Sequence, residues 1–272
     1  IVYGVTADVS IARLFMAGVL PGLLLAALFS GYLVLWALLH PKRVPAADPP
    51  QSLKHKLHES RHLIPVLLLI AGVLGSIYGG VATATEAAAV GVVGALALSA
   101  AQGSLDWRTF RDSLMGGTRL YCMIALILAG ASFLTLAMGY IGLPRHLAEW
   151  IGSLGLSPFG LIVILAAFSI VLGCFLDGIS MVVLTMGVIL PTVQKAGIDP
   201  LWFGIFIVLV VEMAQITPPV GFNLFVLQGM TRREIGWIAR VTLPFFCLMA
   251  VAVLLVWVFP QIVTWLPQRM SG

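Results

Sequence analysis

The residues Thr217-Pro218-Pro219 interrupt an apolar run that extends from Leu201 to Gly229, and this break narrows the fold more than any other feature of the chain. A run of that length is long enough to cross a bilayer as a helix. Two consecutive prolines remove two backbone donors and clash with the preceding turn. A second interruption, Leu176-Asp177-Gly178-Ile179-Ser180, stands directly behind the apolar run Pro158–Phe175. An aspartate at membrane depth is expensive, and irregular backbone is tolerated there only inside protein or beside a wet cavity. The fold must therefore enclose both breaks.

The chain is 60% hydrophobic and 10% charged, against about 25% charged in a soluble domain. Its apolar segments are continuous and not the alternating ~10-residue segments of an outer-membrane barrel. The expected class is all-α, a polytopic helical membrane protein. Cys122, Cys174 and Cys247 all lie in apolar runs and read as small buried hydrophobes. Zinc-type spacing, a phosphate-cradling glycine loop and a basic groove with interleaved aromatics are all missing from the sequence, so no nucleic-acid partner is expected. The opening Ile1-Val2-Tyr3-Gly4 has no initiator Met, basic n-region or cleavage site. It does not read as a signal peptide, and it is expected to be cut from the interior of a longer chain.

In order, spans are expected over about Leu14–Leu39, Leu63–Gly80, Thr85–Ala101, Leu120–Tyr140 and Ile235–Phe259, the last before a short polar tail. The linker His40–His62 is a solvated loop or, over Gln51–Arg61, a short interfacial helix. In the linker Gln102–Arg119, Ser104 is the expected cap of a short helix carrying Trp107, Phe110 and Leu114. Pro144–Leu154 reads as an amphipathic piece. Ala87, Gly91, Ala95 and Ser99 recur every four residues, a stripe on which another helix can pack closely. Glu86 reads either as a helix-start cap behind Thr83 and Thr85 or as a cavity-lining carboxylate.

Pro158–Phe175 and Met181–Gln194 form a helical pair, the second of about fourteen residues and short for a span. The pair reads as a re-entrant hairpin with Asp177 at its tip. With both basic linkers cytoplasmic, eleven of the fifteen Lys and Arg residues lie inside, as the positive-inside rule requires. Two full crossings in place of the hairpin would leave the same charges on the same sides.

A helix broken in mid-membrane exposes free N–H groups on one half and free carbonyls on the other. Such groups suit an anionic substrate and a small hard cation respectively. Asp177, Ser180, Gln215, Thr217 and Asn223 supply side-chain oxygens, while Gly178 and Gly221 let backbone approach closely. An enzyme is not expected, because intramembrane aspartyl proteolysis needs two carboxylates acting together. Glu212 could pair with Asp177, line the cavity or face a partner subunit.

The runs Phe175–Met181, Ile189–Pro191 through Gly197–Pro200 and Ile216–Phe225 resemble the large membrane subunit, DctM type, of tripartite ATP-independent periplasmic (TRAP) transporters. Thr83-Ala84-Thr85-Glu86-Ala87 is similar to a family element in which Pro stands at the place of Ala84. Tyr3-Gly4-Val5-Thr6 and Leu20-Pro21-Gly22 also match, so the resemblance covers nearly the whole chain.

The resemblance implies two inverted halves, each with a hairpin and a broken helix, of which this chain is the C-terminal one. It implies a bacterial inner-membrane, sodium-coupled importer with an elevator-like movement. Its substrate would be an organic acid, a C4-dicarboxylate or sialic acid, delivered by a periplasmic solute-binding protein. A small membrane subunit would complete it, with no cofactor beyond Na⁺ as coupling ion. In that picture Asp177, Gly178 and Ser180, with Thr217, Pro218 and Asn223, form the second-half ion and substrate region; the individual ligands, Na⁺ at Asp177, Ser180 and Thr217, are our own expectation and not part of the resemblance. Residues 1–157 would be scaffold-like spans and linkers, 158–229 the transport-like part, and 230–272 the last span and tail. The alternatives are an ion-coupled anion symporter that needs no binding protein, and a non-transporting membrane scaffold.

Overall fold

The structure is a computed structural model that describes residues 1–44, 52, 60, 63–142, 146, 149–150, 155 and 157–270. Among these residues the regular structure is helical, with no strand. The helices are α1 (Val2–Thr6), α2 (Ile11–Leu39), α3 (Ile64–Tyr78), α4 (Ala84–Ala101), α5 (Trp107–Ile141), α6 (Pro158–Gly173), α7 (Gly178–Lys195), α8 (Pro200–Gln215), α9 (Phe222–Thr231), α10 (Ile235–Val258) and α11 (Gln261–Met270). Five of them, namely α2, α4, α5, α7 and α10, are long and apolar enough to cross a membrane. Leu67, Leu68, Val93 and Leu126 are largely exposed, the disposition of side chains that face lipid. The chain is an all-α, multi-pass membrane protein.

Two compact units divide the chain, Ile1–Gly31 with Met123–Gly272, and Tyr32–Cys122. In the smaller unit α3 and α4 pack together across the small-residue stripe. Gly91 lies against Val73, and a Cβ on Gly94 would stand 2.4 Å from Leu69 Cδ1. Ala95 and Ser99, the lower half of the stripe, instead face a groove shared with Phe110 and Leu114 of α5.

Several helix starts follow short polar side chains. Thr83 and Glu86 form a reciprocal capping box at α4: the Glu86 amide donates to Thr83 Oγ1 at 3.3 Å, and the Thr83 amide donates to Glu86 Oε2 at 2.8 Å. Ser157 and Asp199 cap α6 and α8, each just ahead of a proline at the first helical position. At α5 the expected cap is corrected. Asp106, not Ser104, accepts the Thr109 amide, at 2.6 Å, and Ser104 bonds back to Ser99. Hydrogen bonds from Thr109 hold the Asp106 carboxyl below the usual carboxylate range.

The expected short helix at Trp107 and the span Leu120–Tyr140 are one continuous 35-residue helix. No Pro interrupts that stretch, and the glycine pair at its junction, Gly116 and Gly117, is tolerated inside it. The tail after Phe259 is also corrected, because Gln261–Met270 is a helix whose Val263 is fully buried. Residues 45–51, 53–59 and 61–62, on which the linker's interfacial helix was expected, lie outside the described residues, as does most of 144–154.

The larger unit is built around α8. Twelve of its sixteen residues are buried, enclosed by α6, α7, α10 and α11. Phe203, Phe206, Ile207 and Val210 are fully buried. Trp202 stacks on Phe206 and donates from Nε1 to the Val256 carbonyl at 3.1 Å. In lipid no water is expelled from between helices, so such fitted contacts and buried hydrogen bonds carry the association.

Candidate functional site

The break in the 201–229 run lies where the double proline put it. Helix α8 stops at Gln215 and α9 resumes at Phe222. Pro218–Pro219 is a cis bond, and Gly221 ends the break in the left-handed region at φ +54°. A Cβ there would stand 2.8 Å from the Thr217 carbonyl, so the turn needs glycine twice over, for its φ and for its space. Thr217 donates its hydroxyl to the Met213 carbonyl at 2.7 Å, which satisfies one acceptor that the end of α8 leaves free.

The link between α6 and α7, Cys174 to Asp177, docks on this break. The Gly221 amide donates to the Cys174 carbonyl at 3.1 Å, and the Cys174 thiol donates to the Pro218 carbonyl at 3.4 Å. Gly178 closes the contact, since a Cβ on it would come within 2.8 Å of Val211 Cγ1 and 2.7 Å of Gln215 Nε2. On the other arm a Cβ on Gly173 would meet that of Ala214 at 2.6 Å.

Asp177 is the N-cap of α7. Its Oδ2 accepts the Ile179 and Ser180 amides at 3.1 and 3.2 Å, and its Oδ1 accepts the Ser180 hydroxyl. This cap starts α7 three residues ahead of the expected Met181, and Pro191 does not stop it. The expected fourteen-residue second arm is therefore an eighteen-residue helix, which rises about 27 Å. Its length no longer argues for a re-entrant hairpin.

A cavity of about 670 Å³ opens beside the docked tip, within the size range of small-molecule sites. Asp177, Gly178, Glu212, Gln215 and Asn223 line it together with Tyr3, Phe15 and Phe222. Five of the residues singled out in the sequence thus share one cavity. Ser180, Thr217, Pro218 and Gly221 are not in its lining; they shape the tip and the break behind it. Glu86 lies in the smaller unit and in its capping box. Glu212 is among the residues that line this cavity.

Two participants, Cys174 and Tyr3, are not among the candidate site residues that the sequence offers. Cys174 passes for a buried hydrophobe in sequence, and it is 5% exposed, yet it makes both hydrogen bonds between tip and break. Tyr3 lines the cavity, its ring lies against Gly204, and its hydroxyl donates to the Pro200 carbonyl at 2.7 Å.

A buried helix broken at two prolines, latched to the tip of a neighbouring helical pair beside a ligand-sized cavity, defines a polytopic membrane protein of the broken-helix architecture. The chain belongs to the family described as "Tripartite ATP-independent periplasmic transporter, DctM component", whose model matches residues 1–262.

Among its relatives is the C4-dicarboxylate TRAP transporter large permease protein DctM of Pseudomonas aeruginosa, 32% identical over 98% of this chain and 62% of that protein. The ectoine/5-hydroxyectoine TRAP transporter large permease protein UehC of Ruegeria pomeroyi is 35% identical over 98% of this chain and 62% of that protein. The sialic acid TRAP transporter large permease protein SiaM of Vibrio cholerae is 28% identical over 100% and 63%. The chain thus spans less than two thirds of the length of these relatives.

Proposed function

We propose that this chain forms part of the permease subunit of a sodium-coupled secondary importer of organic acids, of the C4-dicarboxylate or sialic-acid type, in a bacterial inner membrane. The observation that carries the reading is the latch between Cys174 and the break at Pro218 and Gly221, with a ligand-sized cavity beside it. A membrane scaffold has no use for two costly interruptions held together in this way. Residues 158–229 are the transport-like part, with the α6–α7 pair as a re-entrant hairpin. Residues 1–157 are scaffold-like, and 230–272 form the last span and tail.

Asp177, Gly178, Ser180, Gln215, Thr217, Pro218, Gly221 and Asn223 make up the ion and substrate region, with Na⁺ at Asp177, Ser180 and Thr217. A carboxylate offers about four lone-pair sites, and the cap uses three of those on Asp177, so one is left for a cation. Neither substrate nor cation calls for catalysis. The partners are a small membrane subunit and a periplasmic solute-binding protein that delivers the substrate.

The test is uptake of radiolabelled succinate and sialic acid into proteoliposomes holding the full-length protein with its small subunit. Uptake is expected only with an inward Na⁺ gradient and the cognate binding protein, and Asp177→Asn is expected to reduce it at least tenfold. Uptake without any binding protein would replace this reading with that of a stand-alone anion symporter. Unchanged sodium dependence in Asp177→Asn would remove Asp177 from the ion site.

A further inference from the structure

The groove between α4 and α5 lies wholly within the smaller unit and includes no residue of the tip or the break. Helix α4 packs closely on α3 but stands off from α5. The space left measures about 590 Å³. One wall is the Val92, Ala95 and Ser99 face of α4, and the other runs from Thr109 to Tyr121 on α5. Over those residues α5 rises about 18 Å, so the volume corresponds to a slot roughly 6 Å across. A second helix, about 10–12 Å in diameter with its side chains, does not fit inside. Extended hydrocarbon does. Among the described residues no charged side chain lines the slot, and its polar groups are hydroxyls.

Charge stands on the rim. Arg111 precedes Leu114 by three residues and Thr118 by seven, which sets it at the edge of the α5 wall. Among the described residues it has no ion pair or side-chain hydrogen bond. Trp107, one turn earlier, is exposed and stacks on Phe110 of the same wall. Arg108 is paired with Asp112 at 3.9 Å. At 3.6 residues per turn, Arg108 and Arg119 fall on the face of α5 turned away from the groove. An apolar slot with an interfacial tryptophan and a free guanidinium at its edge matches a lipid with a phosphate headgroup.

We propose that the groove holds an acyl chain of an anionic phospholipid, drawn from the leaflet on the side of the basic linkers, with its phosphate on Arg111. Hydrocarbon between the helices then takes the place of the direct packing that α4 and α5 lack. The lipid is a structural part of the smaller unit, and the proposal goes beyond the importer reading without depending on it.

The test uses the full-length protein with its small membrane subunit, stripped of lipid in detergent. Equal amounts of phosphatidylglycerol and phosphatidylcholine with the same acyl chains are added, and native mass spectrometry counts the lipid retained. The wild type is expected to prefer phosphatidylglycerol about fivefold, the effect of one arginine near an anionic headgroup. Arg111→Gln is expected to abolish that preference. Arg119→Gln removes the same charge from the far face and is expected to keep it. Gly117→Leu fills the slot, since a Cβ there meets nothing within 4 Å. It is expected to remove one bound lipid while melting like the lipid-stripped wild type. If it melts early, Ala95→Leu on the opposite wall takes its place and must remove the same lipid.

A wild type that retains both lipids equally overturns the proposal. So does equal loss of preference in Arg111→Gln and Arg119→Gln, which would assign the effect to diffuse surface charge. A well-folded Gly117→Leu protein with its full lipid count also overturns it. None of these outcomes bears on Na⁺ coupling or uptake, so the importer reading stands or falls separately.

Discussion

The amide of Gly221 donates to the carbonyl of Cys174 at 3.1 Å, across 47 residues of chain. This bond joins the two interruptions of the apolar sequence to each other. The break after α8 and the link before α7 each leave backbone groups without helical partners, and each takes one partner from the other. At membrane depth, where water cannot supply the bond, such mutual satisfaction lets two irregular segments persist.

Gly221→Ala is expected to loosen this joint. Alanine at φ +54° carries a left-handed penalty of about 1–2 kcal/mol. Its Cβ would also stand 2.8 Å from the Thr217 carbonyl and 3.1 Å from that of Gln215, which adds roughly 1–3 kcal/mol of overpacking. Gly197→Ala is the control, since Gly197 has φ +75° but nothing within 4 Å. Thermal melts in detergent are expected to rank wild type, Gly197→Ala and Gly221→Ala in falling order. Equal losses for the two variants would mean that the packing around Gly221 is not tight.

The helices and the break were largely legible in sequence, because apolar length and Pro-Pro act locally. Ile235–Val258 and Ala84–Ala101 lie within a residue of the spans expected for them. The start of α7 was misplaced because Asp177 serves as cap and functional candidate at once, and only the geometry shows that both of its oxygens face its own helix. The cap of α5 was misassigned for a similar reason. Ser104 and Asp106 are both good capping types, and only the path of the turn, with Gly103 at φ +70°, selects the second. The roles of Cys174 and Tyr3 depend on partners 44 and 197 residues away, a separation that no local pattern encodes.

Cys174 offers a second test of the joint. Cys174→Ser keeps a donor for the Pro218 carbonyl, while Cys174→Ala removes it and leaves the backbone bond to Gly221 in place. The alanine variant is expected to be less stable than the serine variant by about 1 kcal/mol, the worth of one hydrogen bond. Comparing Ser with Ala, and neither with Cys, cancels the volume lost with the sulfur. Identical melts for the two variants would show that the thiol contributes packing alone.

Glu86 has a defined role to test in the smaller unit. It accepts the Thr83 amide and hydroxyl, both at 2.8 Å. Thr83→Ala is expected to lower stability by about 1 kcal/mol, and Glu86→Gln, which retains an acceptor for the same amide, by less. Neither variant is expected to change the sodium dependence of uptake in proteoliposomes. A shift in half-saturating Na⁺ for Glu86→Gln would assign it a cavity role in place of the capping one.

The contact of Gly178 with Val211 and Gln215 separates docking from helix propensity. Alanine at the start of α7 favours the helix by up to about 1 kcal/mol over glycine, so Gly178→Ala would stabilise a free hairpin. In the docked one its Cβ would lie 2.8 Å from Val211 Cγ1, and a β-branched side chain on a buried helix has little room to retreat. Gln215 Nε2, at 2.7 Å, ends a flexible side chain that can swing toward the cavity it already lines. Val211 therefore decides the sign, and Gly178→Ala is expected to destabilise by roughly 1–3 kcal/mol. Adding Val211→Ala removes the obstructing methyls, so the double variant is expected to melt above Gly178→Ala despite the smaller core. Strict additivity of the two losses in a double-mutant cycle would mean that the tip and the end of α8 do not touch in solution.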